Sequence, residues 1–345
     1  MTKAAVNAIP AEPVDESFLE SLGVHRLEVP LPFIEAGGPA NVYVIENDDS
    51  TWSLFDCGLS TPDALAALHA QASERGIDLQ RVSRIVISHG HPDHYGNAQL
   101  FAEQTGAPVF IHPADLEKIC GEGRWWALLE RHRGYYLKLG VPAALIQTMI
   151  DRNRDATLGT RQVERSRVQL IHGGEKLHFK RFDVEVLHLP GHTPGLICLH
   201  APAQRMLFAD DHVLARISPN PLLDLSQGEE ETKFLALVRY LEGAKAVQAL
   251  ELDCVLPGHG PAFRNHKELL DGLFAMYQRR QEKLLASLRA RPTSAYKLID
   301  SMFARRTDRR LHLMLSETLG NLEVMEHDGR VTRTLTDGVF EFRPL

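Results

Sequence analysis

The stretch Ser88-His89-Gly90-His91-Pro92-Asp93-His94-Tyr95-Gly96 sets three histidines and an aspartate within six residues, directly after Arg84-Ile85-Val86-Ile87. The apolar run reads as a buried strand, because β-branched residues dominate it and it stops at polar residues. The cluster therefore sits on a loop at a strand's end, where rigid scaffolds place their chemistry. His89 and His91 alternate along an extended backbone and can converge on one point. Asp93 and His94 follow the redirection at Pro92 and can serve a second. Imidazole nitrogen and carboxylate oxygen are the ligands that hydrolytic zinc uses. A merely solvated polar loop does not account for the rest of the chain, which supplies further ligands of the same kind.

Asp15–Leu22 reads as a short helix closed by Gly23. Val24–Val29, Ala40–Glu46 and Thr51–Phe55 read as strands, the last ending in Asp56-Cys57-Gly58. Thr61-Pro62 offers a cap and a first-position proline to a helix whose apolar face is Leu65, Leu68 and Ala72. After the histidine loop come a helix over 97–104 and a strand over 108–111. Strand patterns resume at 169–171, 176–179 and 183–189, and Pro190-Gly191-His192-Thr193 follows at once. Strands over 197–200 and 205–208 lead to Ala209-Asp210-Asp211-His212. A helix over 229–242 precedes a last strand, 253–256, which ends in Pro257-Gly258-His259-Gly260. Each polar cluster follows a strand, so all can lie at one edge of a sheet sandwich.

Five motifs in this order resemble the metallo-β-lactamase superfamily, over residues 24–265. The resemblance implies an α/β fold, a four-layer αββα sandwich with two mixed sheets face to face and helices outside. Carried over, it implies that His89, His91 and His192 bind one metal and Asp93, His94 and His259 a second. Asp211 would bridge both together with a water or hydroxide. Asp56 matches a position that orients a ligating histidine, and Asp93 can hold or accept a proton during attack. An Asp at the position of Asp211, where true β-lactamases have Cys or Ser, resembles the glyoxalase II, lactonase, thioesterase and nuclease branches. His91 stands where the flavodiiron branch has Glu, which argues against redox diiron chemistry. Asp210 replaces a glycine common in relatives; its carboxylate is expected to point away from the metals. His112, His188, His200 and His212 are expected to be packed or hydrogen-bonded, with His212 the best functional candidate among them. Tyr95 reads equally as oxyanion donor or packing.

Two regions depart from the sandwich pattern. Residues 113–165 are helix-like and rich in charge and aromatics, including Arg124-Trp125-Trp126 and Tyr135-Tyr136, and are expected to form a lid over the site for a partly apolar substrate. Residues 266–345 read as a long amphipathic helix (266–290), a helix capped by Thr293-Ser294, another over 308–327, and a hairpin turning at Thr336-Asp337-Gly338. That order resembles the winged-helix module appended to one branch of the superfamily. The tail carries 14 Lys and Arg against 11 Asp and Glu. Its reading-helix candidate bears Glu317, Glu323 and Glu326, which would repel phosphates, so packing or homodimerisation is favoured over nucleic-acid binding.

A net charge of −7 argues against general polyanion binding. Cys57, Cys120, Cys198 and Cys254 lack metal or disulfide spacing, which suits a reducing cytoplasm. Residues 1–22 show no signal-peptide pattern and no run approaches a membrane span. The sequence thus reads as an N-terminal extension (1–22), a catalytic domain (23–265) and a winged-helix-like α+β module (266–345). The expected function is dinuclear hydrolysis of a thioester, ester or lactone of a small acyl metabolite. The cofactors would be two divalent ions, zinc first, with iron or manganese as alternatives. A phosphodiesterase or endoribonuclease, and a mononuclear iron sulfur dioxygenase, are the rival readings.

Overall fold

A computed structural model describes residues 10–32, 38–121, 125–156, 160–226, 233–307 and 310–345. One sheet holds six strands in sequential order, β1 (Val24–Val29), β2 (Ala40–Glu46), β3 (Trp52–Phe55), β4 (Val82–Val86), β5 (Val109–Ile111) and β6 (Val168–Leu170). Its first three strands pair antiparallel and the others parallel. The second sheet, in the order β11-β10-β9-β8-β7, is built from β7 (Lys176–His178), β8 (Asp183–His188), β9 (Ile197–Ala201), β10 (Met206–Asp210) and β11 (Cys254–Pro257). Only β10 and β11 pair parallel there. The alternation in β8 is legible in its residues, with Val184 and Val186 buried and Asp183 and Glu185 exposed.

The helices are α1 (Ser17–Ser21), α2 (Pro62–Glu74), α3 (Pro92–Tyr95), α4 (Ala98–Thr105), α5 (Leu116–Cys120), α6 (Trp125–Arg131), α7 (Arg133–Lys138) and α8 (Ala143–Ala156). They continue with α9 (Ala236–Gln248), α10 (His266–Ala290), α11 (Ala295–Met302) and α12 (Leu311–His327), and a hairpin of β12 (Val331–Thr336) and β13 (Val339–Pro344) closes the chain. The Thr61 side chain accepts from Ala64 N at 3.3 Å and starts α2. The helix expected over 229–242 instead begins at Ala236 and runs to Gln248; residues 227–232 lie outside the described residues. Ser294 precedes α11 without capping it through its side chain.

Four layers result. Between the sheets, Phe208 packs edge-on against Tyr43 and Phe55, with ring centroids 5.3 and 5.9 Å away. Val86, Val186, Leu199 and Leu256 extend that core. Leu68 of α2 and Phe101 of α4 cover the outer face of the first sheet. Tyr240 of α9 and Leu273 and Tyr277 of α10 cover the second.

The region expected to form a lid and the tail share one further core. Tyr135, Tyr136, Leu139 and Ile146 are buried with Leu298, Leu315, Leu319 and Phe342. The side chains of Trp125 and Trp126 lie outside the described residues. Within this core every residue of α12 from Met314 to Met325 is buried. A helix enclosed all round has no face with which to enter a nucleic-acid groove. Glu317 and Glu323, expected to repel phosphates from the surface, are internal and paired with Arg280 and Lys233. The expectation was right that α12 is a helix and wrong about where Glu317 and Glu323 face, while Glu326 is half-buried. No helix among the described residues is long and apolar enough to cross a membrane.

Candidate metal centre

The strand ends deliver the polar clusters to one edge. Asp56 follows β3, the His89–His94 loop follows β4, His192 follows β8, Asp210 and Asp211 close β10, and His259 follows β11. At the end of β10 the register against β11 shifts between Phe208 and Asp210, and Asp210 takes a left-handed φ of 45°. In a regular strand, adjacent side chains leave opposite faces; the bulge lets Asp210 and Asp211 both reach the centre.

The backs of the histidine rings are engaged first. Asp210 Oδ2 lies 2.9 Å from His89 Nδ1 and its Oδ1 lies 3.2 Å from His94 Nδ1. Asp56 Oδ2 is 3.0 Å from His94 Nδ1 and also accepts from Ser88 Oγ at 2.8 Å, while Asp56 Oδ1 accepts from Ser88 N at 2.8 Å. His192 Nδ1 donates to Pro219 O, and His259 Nδ1 donates to Pro39 O at 3.1 Å. With Nδ1 committed, each Nε2 is left with a lone pair aimed inward. His91 is turned the other way and offers Nδ1, 2.8 Å from His89 Nε2 and 2.9 Å from His192 Nε2.

Two convergent groups follow, His89-His91-His192 and Asp93-His94-His259. Asp93 Oδ2 stands 3.8 Å from His94 Nε2 and 3.7 Å from His259 Nε2. Asp211 spans the groups: Oδ2 is 3.4 Å from His192 Nε2 and 3.8 Å from His94 Nε2, and Oδ1 is 3.4 Å from His259 Nε2. A third convergence, His89-His94-Asp210, is the supporting layer behind the rings. Asp210 therefore does not point away from the centre, as expected from sequence; it grips the rings from behind.

The donor set fits metal ions. His94 Nε2 is buried without a hydrogen-bond partner among the described residues, and Asp211 Oδ1 has only the 3.4 Å approach of His259 Nε2; an unmet buried polar group costs on the order of 1–3 kcal/mol. Burial, reinforced by His89 and His192, pushes His91 well below the usual histidine range. Burial likewise takes His192 down to about 4 against the pull of Asp211. Both are held neutral, the form that ligates. At His259 burial opposes the charged form, but Asp211 and Asp93 raise it to about 9. At His94 burial is again outweighed, by Asp210, Asp93 and Asp211, which hold it well above its usual value. The second group thus carries surplus negative charge, suited to a cation.

The profile of the metallo-beta-lactamase superfamily matches residues 36–293. The chain belongs to this superfamily. It is 29% identical over 317 residues to the probable metallo-hydrolase YqjP of Bacillus subtilis, covering 90% of this chain and 94% of that one. It is 28% identical over 193 residues to the acyl-coenzyme A thioesterase MBLAC2 of Gallus gallus, covering 52% of this chain and 60% of the relative. Among solved structures, a metallo-beta-lactamase family protein from Thermus thermophilus superposes with a TM-score of 0.76 at 27% identity, covering 94% of this chain and 99% of that one. The chain is a metallo-hydrolase of the metallo-beta-lactamase superfamily, whose members generally bind divalent metals.

The other histidines of this superfamily member fall outside the two groups. His112 and His188 stack with centroids 3.8 Å apart, and His188 Nε2 donates to Pro194 O at 2.9 Å. His212 is buried against Tyr240, and Tyr95 packs in the core beneath the first sheet. Sequence reasoning missed Ser88, Lys118 and Asp115. Asp115 Oδ2 accepts from Gly90 N at 2.9 Å and from Thr193 Oγ1 at 2.6 Å. The signal was a further carboxylate shortly after a strand, in His112-Pro113-Ala114-Asp115 beyond β5.

Proposed function

We propose that the chain is a dinuclear hydrolase that splits a thioester, ester or lactone of a small acyl metabolite, with a thioester as the first choice. The observation that carries the dinuclear reading is Asp211, whose two oxygens each lie 3.4 Å from a histidine nitrogen of a different group. His89, His91 and His192 would hold one divalent ion and Asp93, His94 and His259 the other, with Asp211 between them. Zinc is the first candidate for both, iron or manganese the alternatives, since His and Asp accept all three. When bound, the ions would supply Lewis acidity and an acidified water at neutral pH.

The side chains then divide the remaining work. Asp93 retains 13% side-chain exposure, against 1% for Asp210, so it is the ligand placed to exchange a proton with an incoming substrate and its water. Asp56 and Asp210 fix the rings of His94 and His89 from behind. An Asp at position 211 supports the glyoxalase II-like and thioesterase-like branches, and the similarity to a Gallus gallus acyl-coenzyme A thioesterase supports the thioester. The enclosure of α12 favours packing over nucleic-acid binding for the tail. Four free cysteines support a reducing, cytoplasmic setting.

The test is a panel of acyl-coenzyme A thioesters, lactones, bis-p-nitrophenyl phosphate and single-stranded RNA, offered to protein loaded with zinc, manganese or iron. Thioester turnover that Asp93→Asn abolishes is the expected result. Phosphodiester cleavage alone would move the assignment to the nuclease rival. One iron per chain with oxygen consumption would replace hydrolysis by sulfur dioxygenation.

A further inference from the structure

We infer that Lys118 and Asp224 are positioning residues through which the C-terminal helices set the geometry of the His89-His91-His192 group. The inference rests on the reading that this group holds a metal ion.

Asp115 is the hub. It is fully buried before α5, and its carboxylate receives four donors. Gly90 N lies between two of the histidines, Thr193 Oγ1 follows the third, and Gly195 N binds Oδ1 at 3.1 Å. The fourth donor is Lys118 Nζ, 2.8 Å from Oδ1. One carboxylate therefore clamps both loops that carry the three nitrogens. The approach is close enough to require glycine. A Cβ on Gly90 would stand 2.7 Å from Lys118 Cβ, and one on Gly195 would stand 2.7 Å from Asp115 Cγ.

Lys118 continues the chain of contacts. Its Nζ also lies 2.7 Å from Asp224 Oδ2, and both residues are buried. Asp224 belongs to the segment 213–226 between β10 and α9, which the C-terminal helices hold at several points. Ser218 Oγ is 3.1 Å from Tyr277 Oη of α10, and Leu223 N donates to Ser316 Oγ of α12 at 3.0 Å. Leu223 and Leu225 are buried in the core formed with α11 and α12. Pro219, in the same segment, accepts from His192 Nδ1. The tail thus reaches the first ligand group by two arms, one through Pro219 to His192 and one through Asp224, Lys118 and Asp115 to both loops. Among the described residues the second ligand group has its side chains held elsewhere: Asp93 and His94 ride on α3, and His259 Nδ1 donates to Pro39 O.

A buried ammonium between two carboxylates is costly to break, because the remaining charges are left without partners. It defines the spacing of what it joins, and partners of ligating histidines typically alter metal affinity tenfold to a hundredfold when removed. The test uses the full chain stripped of metal and titrated with Co2+, following stoichiometry and the visible absorption of each bound ion. Asp224→Asn, which leaves Lys118 its bond to Asp115, is expected to weaken one of two ions at least tenfold and to change its absorption band with the other ion little changed, while the metal-free protein loses some thermal stability because a buried charged partner has gone. Ser316→Ala, which removes one tail contact and no charge, is expected to shift the same ion in the same direction. Unchanged affinities in both variants, or equal weakening of both ions in step with lost thermal stability, would overturn the inference. His91→Ala separates the underlying reading: if the wild-type stoichiometry survives that change, the ligand assignment itself fails.

Discussion

Asp210 Oδ2 lies 2.9 Å from His89 Nδ1, behind the ring and opposite the nitrogen that faces the other ligands. The same carboxylate meets His94 Nδ1, so one residue orients a histidine of each group. It differs in this from its neighbour Asp211, which faces the inward Nε2 atoms of His94, His192 and His259.

Exchanging each aspartate in turn separates the two roles. Asp210→Asn keeps the shape but removes the charge that fixes both Nδ1 protons, and should weaken both ions by roughly tenfold to a hundredfold. Asp211→Asn should instead reduce the bound metal toward one equivalent. Metal content after dialysis against a chelator of graded strength distinguishes them. If Asp210→Asn lowers stoichiometry while Asp211→Asn leaves it intact, the two assignments are reversed.

Stability should fall on mild acidification through a residue remote from the ligand groups. His312 on α12 is buried near Tyr136, and burial takes it from the ordinary 6.5 to about 4, with Asp224 opposing. Between those values the unfolded chain binds a proton that the folded chain refuses. The contribution is present above pH 6.5 and is lost as pH falls toward 4, by about 3 kcal/mol in the full-shift limit. Urea unfolding of metal-free protein at pH 7.5 and 5 should show a loss to which His91 and His192, also lowered by burial, contribute, and His312→Gln should make it measurably smaller. A slope unchanged in the variant assigns the acid sensitivity to other groups.

The sandwich was legible because its signals are local. Apolar β-branched runs marked the strands, and turns or polar clusters marked where they end. The convergence of seven histidines and aspartates at one sheet edge was legible because each follows its strand at once. Asp210 was misjudged because a bulge, which depends on pairing with β11, decides where two successive side chains point. Lys118 and Asp115 carry no local pattern; their roles arise from packing between segments as distant as Gly90 and Asp224. The tail's helices were visible in periodicity. The enclosure of α12 was not, since nothing local tells a buried, paired Glu323 from a solvated one.

The Lys233–Glu323 pair gives a direct measure of that enclosure. Both side chains are at most 5% exposed, and Lys233 Nζ also reaches Tyr135 Oη at 2.8 Å. Glu323→Leu should destabilise the protein by about 3–5 kcal/mol, because Lys233, already lowered to about 7 by burial, must either stay buried without a carboxylate or give up its proton. Lys233→Met with Glu323→Leu should recover most of that loss, since well-packed apolar groups replace buried ion pairs with little penalty. Thermal or urea unfolding of the four-member cycle reads the coupling. Additive effects would mean the pair is hydrated in solution.

Removal of residues 266–345 should abolish the soluble fold. Leu269, Leu273 and Tyr277 of α10 form the outer cover of the second sheet together with α9, against Leu207 and Val255. Glycine at position 320 brings α12 close to α9: a Cβ there would stand 3.0 Å from Leu237 Cβ. Without the tail, the sheet face and the buried surfaces of Tyr135, Tyr136 and Ile146 would meet water. Each such large side chain contributes about 1.5–3 kcal/mol by burial, so the loss over these five is comparable to the whole 5–15 kcal/mol or so by which domains are stable. Expression of 1–265 beside the full chain, followed by solubility, circular dichroism and sedimentation, checks this. A soluble, cooperatively folding 1–265 that binds two Co2+ ions would show the tail to be an accessory.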